Sequence, residues 1–194
     1  VDKSTKSDVW NFFDISEDLQ ITKRNGVTGS GKGLLPYGAR PAVYARRGIS
    51  PGTQKVFVLS ESERIHHGLA KADLLPCVTS LKDVDPSVHK LTPALFERHF
   101  VKTGRRCWLI KSRGELSERL RLYLEGIQAG DRATATCRRQ DPWYRYEEPG
   151  VPVLLVHSAF TRHGPRFVLN DAQVVAVGAM YGIYGVAKTR ARQL

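Results

Sequence analysis

The stretch "ARRGISPGTQKVFVLSESE", Ala45 to Glu63, sets the architecture. Just ahead of it Val43 and Tyr44 alternate with basic residues, Ser50-Pro51-Gly52 is a turn signal, and Lys55 to Leu59 is rich in β-forming residues. The expected order is strand, turn, strand. Ser60 then stands as a helix N-cap with Glu63 three residues on as its capping-box partner, and Gly68 supplies the stop. A strand feeding a short capped helix is the unit from which the rest is read.

Outward from that unit the same mixture continues. Leu74 to Leu81 is a short apolar segment, and Thr92-Pro93 opens a second short helix through Phe100 with proline at its first position. "RRCWLIKS", Arg105 to Ser112, reads as a buried strand. The longest helix is expected over Glu115 to Ala129, where Leu116, Leu120, Leu124 and Ile127 recur at helical spacing as a core stripe and Gly130 follows. Further on come the basic segment "CRRQDPWYRY", the strand-like runs "VPVLLVHS" and "RFVLN", and the apolar Val174 to Ile183 with interleaved glycines. No regular crossover helices separate these strands. The expected class is therefore α+β: an irregular, mixed, strand-rich domain with a few short helices and one longer helix.

Three segments are expected along the 194 residues: an N-terminal arm with a flexible Gly-rich loop over 1–36, the main domain over 37–187, and a basic tail over 188–194. The first residue is Val rather than Met, as expected of an excised domain or a processed chain. Thirty Lys and Arg against 19 Asp and Glu give a formal net charge of +11, which favours a polyanionic partner, nucleic acid first. No apolar run approaches the ~20 residues of a membrane span, so a cytoplasmic protein with no membrane partner is expected. Cys77, Cys107 and Cys137 are odd in number and lack any Cys-x-x-Cys pairing, which supports neither a disulfide framework nor a cysteine zinc site.

Several catalytic patterns fail on their context. "NGVTGSGKGLL", Asn25 to Leu35, resembles a phosphate-binding loop around Gly26, Gly31 and Lys32. Gly33, however, occupies the place of the magnesium-binding hydroxyl, and "LLPYGARP" puts prolines where the helix should run. A basic loop is the better reading. His66 and His67 are adjacent and cannot share a helix face, and His157 and His163 have no carboxylate at ligand spacing. Asp14, Glu17, Asp18 and Lys23 permit a magnesium-dependent nuclease of a restriction system, although an acidic solvated segment accounts for them equally.

Two motifs carry a resemblance. "ARRGISPGTQKVFVLSESE" resembles the segment opening the target-recognition domain of TaqI-like adenine-specific DNA methyltransferases of restriction-modification systems. There the pattern is Arg-Gly-Ile, one residue, then Thr-Gly; here Pro51 replaces the usual Thr and Gln54 stands near the usual Asn. "CRRQDPWYRY", followed by "HGPRFVLNDAQVVAVGAMYGI", looks like that family's Arg-x-x-Pro-Trp-Tyr and Pro-Arg-Phe-x-x-Asn segments, and "WLIKSRGELSERLRLYLEGIQAG" matches the strand and helix between them. The likeness runs in order from about Tyr37 to Tyr184. The S-adenosylmethionine loop and the Asn/Asp-Pro-Pro-Tyr/Phe motif of the family's catalytic half do not occur in these residues, since Asp141-Pro142-Trp143-Tyr144 lacks the second proline.

The resemblance thus implies recognition of double-stranded DNA on behalf of a methyltransferase, or methyltransferase-nuclease, catalytic domain or subunit. It implies no cofactor in this chain and S-adenosylmethionine in the absent catalytic domain. Arg46, Arg47 and Lys55 around Gly52 are expected on phosphates, with Thr53 and Gln54 reading base edges. Arg138, Arg139 and Arg145 surround Trp143 and Tyr144, which either offer an aromatic surface beside phosphate or guanine or serve as core anchors. Arg162, Arg166 and Asn170 form a third set, with Asn170 alternatively holding a turn. A module that binds RNA or an acidic protein remains the competing non-enzymatic reading.

Overall fold

The computed structural model describes residues 13–15, 21–23, 43–157 and 166–186. The first two segments form an antiparallel pair, β1 (Phe13–Ile15) and β2 (Ile21–Lys23). Then come β3 (Tyr44–Arg47), a single helical turn α1 (Gln54–Phe57), β4 (Val58–Leu59) and α2 (Glu61–His66). β5 (Leu74–Val78) and β6 (Lys90–Leu91) precede α3 (Pro93–Phe96), whose last turn widens over Glu97–Val101. β7 (Trp108–Ile110), α4 (Glu118–Glu125) and α5 (Ala135–Arg138) lead to β8 (Leu154–His157), β9 (Phe167–Asn170), β10 (Val175–Ala176) and β11 (Met180–Tyr184). The α+β expectation is met.

Two mixed sheets build the domain, one in the order β10-β5-β7-β4 and one in the order β3-β11-β8-β9-β6. Their junction is tight. β10 belongs to the first sheet and β11 to the second, yet only Val177 to Ala179 separate them in sequence. The chain leaving β3 is sewn into this turn: Gly48 donates to the Met180 carbonyl at 2.6 Å, Ile49 to Ala176 at 3.1 Å, and Gly178 returns a bond to the Ile49 carbonyl at 2.8 Å. Gly48 is required here, because a Cβ would stand 2.7 Å from the Val177 backbone nitrogen. The largest core cluster fills the space between the sheets with Leu59, Leu91, Phe100, Ile110, Leu155, Val168 and Met180, each at most 2% exposed. Burial of such side chains contributes roughly 1.5–3 kcal/mol apiece before chain entropy opposes it.

The local signals at α2 operate as expected. The Ser60 side chain accepts from the Glu63 backbone N–H while the Glu63 carboxylate accepts from the Ser60 N–H, and Gly68 adopts φ +65° beyond the helix. Thr92 caps α3, with Pro93 at its first position. Two expectations are corrected. Lys55 to Leu59 is not one strand: Val56 and Phe57 both donate to the Thr53 carbonyl, closing a helical turn before two residues of β4. Val56, Phe57, Val58 and Leu59 are all at most 2% exposed, and a single pleated strand on the surface of one core would turn alternate residues outward. The long helix is also shorter than expected. Ser117 accepts from Leu120 N–H at its start and Gly126 ends it, so Leu116 and Ile127 pack on the core from outside its ends.

Candidate nucleic-acid interface

Successive β3 residues point to opposite sides of the sheet. Arg46 is paired in register with Gly182 and Arg47 with Tyr181. The Arg46 guanidinium lies 3.5 Å from the Glu147 carboxylate, with both side chains more than half exposed. Arg47 donates through Nε to the Gly178 carbonyl at 3.2 Å.

The turn after β3 brings the next set close. Gly52 has φ +132°, and a Cβ there would sit 2.4 Å from Cys137 Sγ, so the turn lies directly on α5. Thr53 is the extended residue before α1, and its hydroxyl makes no capping bond. Gln54 and Lys55 are exposed at the head of α1, while Val56 and Phe57 enter the core. Lys55 Nζ pairs with Asp131 Oδ1 at 3.0 Å, and the Gln54 amide rests against Gly178. Below them Arg106 donates to the carbonyls of Gln54 at 3.1 Å and Lys55 at 2.9 Å, and through its other terminal nitrogen to the Glu63 carboxylate. One guanidinium therefore ties the exposed turn to the capping box of α2. Burial pushes the Glu63 carboxyl up, but its bonds from Ser60 and Arg106 outweigh this and hold it below the usual carboxylate range. Tyr123 adds a further tie by donating to the Val56 carbonyl at 2.8 Å.

Residues 131–147 complete the region. Thr134 caps α5 by accepting from Cys137 N–H, Cys137 is buried, and Arg138 and Arg139 remain exposed at the end of the turn. Trp143 meets Phe57 edge-on at 5.8 Å and carries Arg132 over its ring at 5.5 Å, while Tyr144 meets Trp143 edge-on at 5.7 Å. Both aromatics pack partly against the core. They are anchors with one accessible side, and a shallow cavity of about 270 Å³ opens there among Arg132, Arg138 and Trp143. The following segment is pinned to the end of β7: Tyr146 donates to the Ile110 carbonyl, and Glu148 accepts from the backbone of Ser112 at 2.9 Å and Arg113 at 3.1 Å.

The structure thus links Arg47, Gly52, Thr53, Gln54, Lys55, Arg138, Arg139, Trp143 and Tyr144 through neighbouring contacts, while Arg46 points to the other side of the β3 sheet beside Glu147. Arg166 stands apart. Its terminal nitrogens donate to the carbonyls of Leu81 at 3.3 Å, Val84 at 2.8 Å and Val88 at 3.1 Å, and to that of Asp85. Asn170 is buried and closes a turn, donating to the Pro152 and Val174 carbonyls and accepting from Val174 N–H. Arg162, the Asn25 to Leu35 loop, Glu17 and Asp18 lie outside the described residues. Sequence reasoning left out Arg106, Arg132 and Gly178. Arg132 had a faint signal, since it precedes an already basic aromatic segment; the other two are joined to the region only through distant parts of the chain.

No group of three or more His, Cys, Asp or Glu among the described residues could hold a metal ion, and no helix among them is long and apolar enough to cross a membrane. The fold and this region define an α+β domain presenting arginines, lysine and polar side chains from three chain segments. Residues 40–194 match the family described as Type II methyltransferase M.Eco57I, C-terminal domain, and the chain belongs to that family. It is accordingly a region of restriction-modification methyltransferase type. No curated protein matches the chain.

Proposed function

We propose that this domain recognises a short sequence in double-stranded DNA and positions on it an adenine-specific methyltransferase, or methyltransferase-nuclease, catalytic domain lying outside these 194 residues, in the manner of the TaqI-like target-recognition domains. S-adenosylmethionine would be bound by that catalytic domain. The observation that carries the reading is the convergence of β3, the α1 turn and the α5 to Trp143 segment. In this reading Arg46, Lys55, Arg138 and Arg139 would contact phosphates, and Arg47, Thr53 and Gln54, whose side chains suit base edges, would read the sequence. Membership of a methyltransferase C-terminal family supports a polyanionic partner, which the +11 charge also favours.

The test is fluorescence anisotropy of the chain over a randomised duplex library at several salt concentrations. One short duplex sequence should be preferred at every salt, while overall affinity falls steeply as salt rises. Uniform binding across the library would sink the reading, and stronger binding to single-stranded RNA would replace it.

A further inference from the structure

Three cations of the region hold a partner: Lys55 reaches Asp131, Arg46 reaches Glu147, and Arg132 lies over Trp143. Two other side chains meet at one residue. Arg47 uses only Nε, on the Gly178 carbonyl, and its two terminal nitrogens have no hydrogen bond among the described residues. Gln54 is exposed, and its amide likewise has no hydrogen bond among the described residues. Both converge on Gly178: the Gln54 Nε2 atom lies 2.5 Å from the point where a Cβ on Gly178 would stand. A Cβ there would push the Gln54 amide aside, and the φ of +69° at this position favours glycine.

We infer that Arg47 and Gln54 form a composite reader for a guanine and an adenine no more than two base-pair steps apart in duplex DNA, with Gly178 as their shared support. The inference rests on the DNA-recognition reading above and names what is read. An arginine braced through Nε presents its remaining N–H fork to the O6 and N7 atoms of guanine, and a glutamine amide matches the N6 and N7 atoms of adenine. Because both side chains touch one residue, Arg47 Nε and Gln54 Nε2 lie within about 9 Å of each other on ordinary backbone dimensions. Base pairs rise ~3.4 Å per step, which sets the two-step limit. Lys55 and Arg46, held by carboxylates, are left to the phosphates.

The experiment starts from the duplex that the chain selects out of the randomised library. Affinities for every single-base-pair substitution of that duplex are then measured with the wild type, Arg47→Lys and Gln54→Ala at one salt concentration. Arg47→Lys keeps the charge and removes the fork, so it should lose roughly tenfold or more of discrimination at one G·C pair, with the salt dependence unchanged. Gln54→Ala should lose a comparable factor at one A·T pair within two steps of the first. Specificity that survives both variants, or positions further apart than two steps, would overturn the reader and leave the proposed function standing. Absence of any selected duplex for the wild type would overturn both.

Discussion

Arg47 lies in the five-stranded sheet and Arg166 just ahead of one of its strands, and their guanidinium groups are used in opposite ways. Arg47 extends from the edge strand β3, takes one backbone carbonyl and leaves its fork open among the described residues. Arg166, just before β9, donates to four carbonyls of the segment 81–88 and holds that segment against the sheet. The same side chain in the same basic protein is a bridge at one place and a reaching group at the other. What separates them is what each one faces: the irregular segment 81–88 turns four carbonyls toward Arg166, whereas Arg47 on the edge strand meets the Gly178 carbonyl alone among the described residues.

The largest effect that would break this contrast is expected at Arg166. Arg166→Ala removes the donors of four carbonyls at a half-buried position and should destabilise the fold by about 2–4 kcal/mol, since bonds to charged donors contribute more than neutral ones. Denaturant unfolding measures this. DNA affinity per folded molecule should be unaffected, and a stable variant with weakened DNA binding would place Arg166 with Arg47 instead.

How far the two uses could be told apart from the sequence depends on the range of the contacts. The capping box at Ser60 and Glu63 and the Thr92-Pro93 helix start were legible because their partners lie within a few residues, and the strand at Trp108 because its short apolar run is buried whole. The α1 turn was not, because a run of four buried residues fits a helical turn or a strand equally well and periodicity cannot arbitrate. In the region of β3 and α1, residue types were legible and their employment was not. Arg106 braces a residue 52 positions away, and Arg47 leans on one 131 positions away. Composition marks such residues as basic; only the fold decides which carbonyl or carboxylate each one meets.

A smaller effect sharpens the contrast from beneath the exposed turn. Glu63 ties Ser60 and Arg106 together, and its folded-state pKa lies below its unfolded value. Such a carboxylate contributes stability that is fully present above the unfolded pKa, ~4.3, and is lost as the pH falls through the folded value. Thermal unfolding of the wild type and Glu63→Gln should therefore differ at pH 7 and converge as the pH falls below 4. Curves that stay equally far apart at low pH would mean that the charge on Glu63 does not support the Arg106 brace.

The smallest effect on stability concerns the two carboxylates that hold the phosphate-directed cations. Asp131 and Glu147 pair with Lys55 and Arg46 across exposed geometry, where ion pairs are worth roughly 0–1 kcal/mol, so Asp131→Asn and Glu147→Gln should barely move the unfolding midpoint. Their effect on DNA should be opposite in sign to that of removing a cation. Each carboxylate competes with phosphate for its partner and repels the duplex by its own charge; removing it should raise affinity a few-fold at low salt, equally for selected and unselected duplexes. Arg47, which has no carboxylate partner among the described residues, is outside this competition, so the double variant should bind all sequences more tightly without altering which one is preferred. Anisotropy titrations on the selected duplex and a scrambled one measure both quantities. A change in preference rather than in overall affinity would show that Asp131 and Glu147 aim the reading side chains, and the separation between phosphate-holding and base-reading residues would no longer hold.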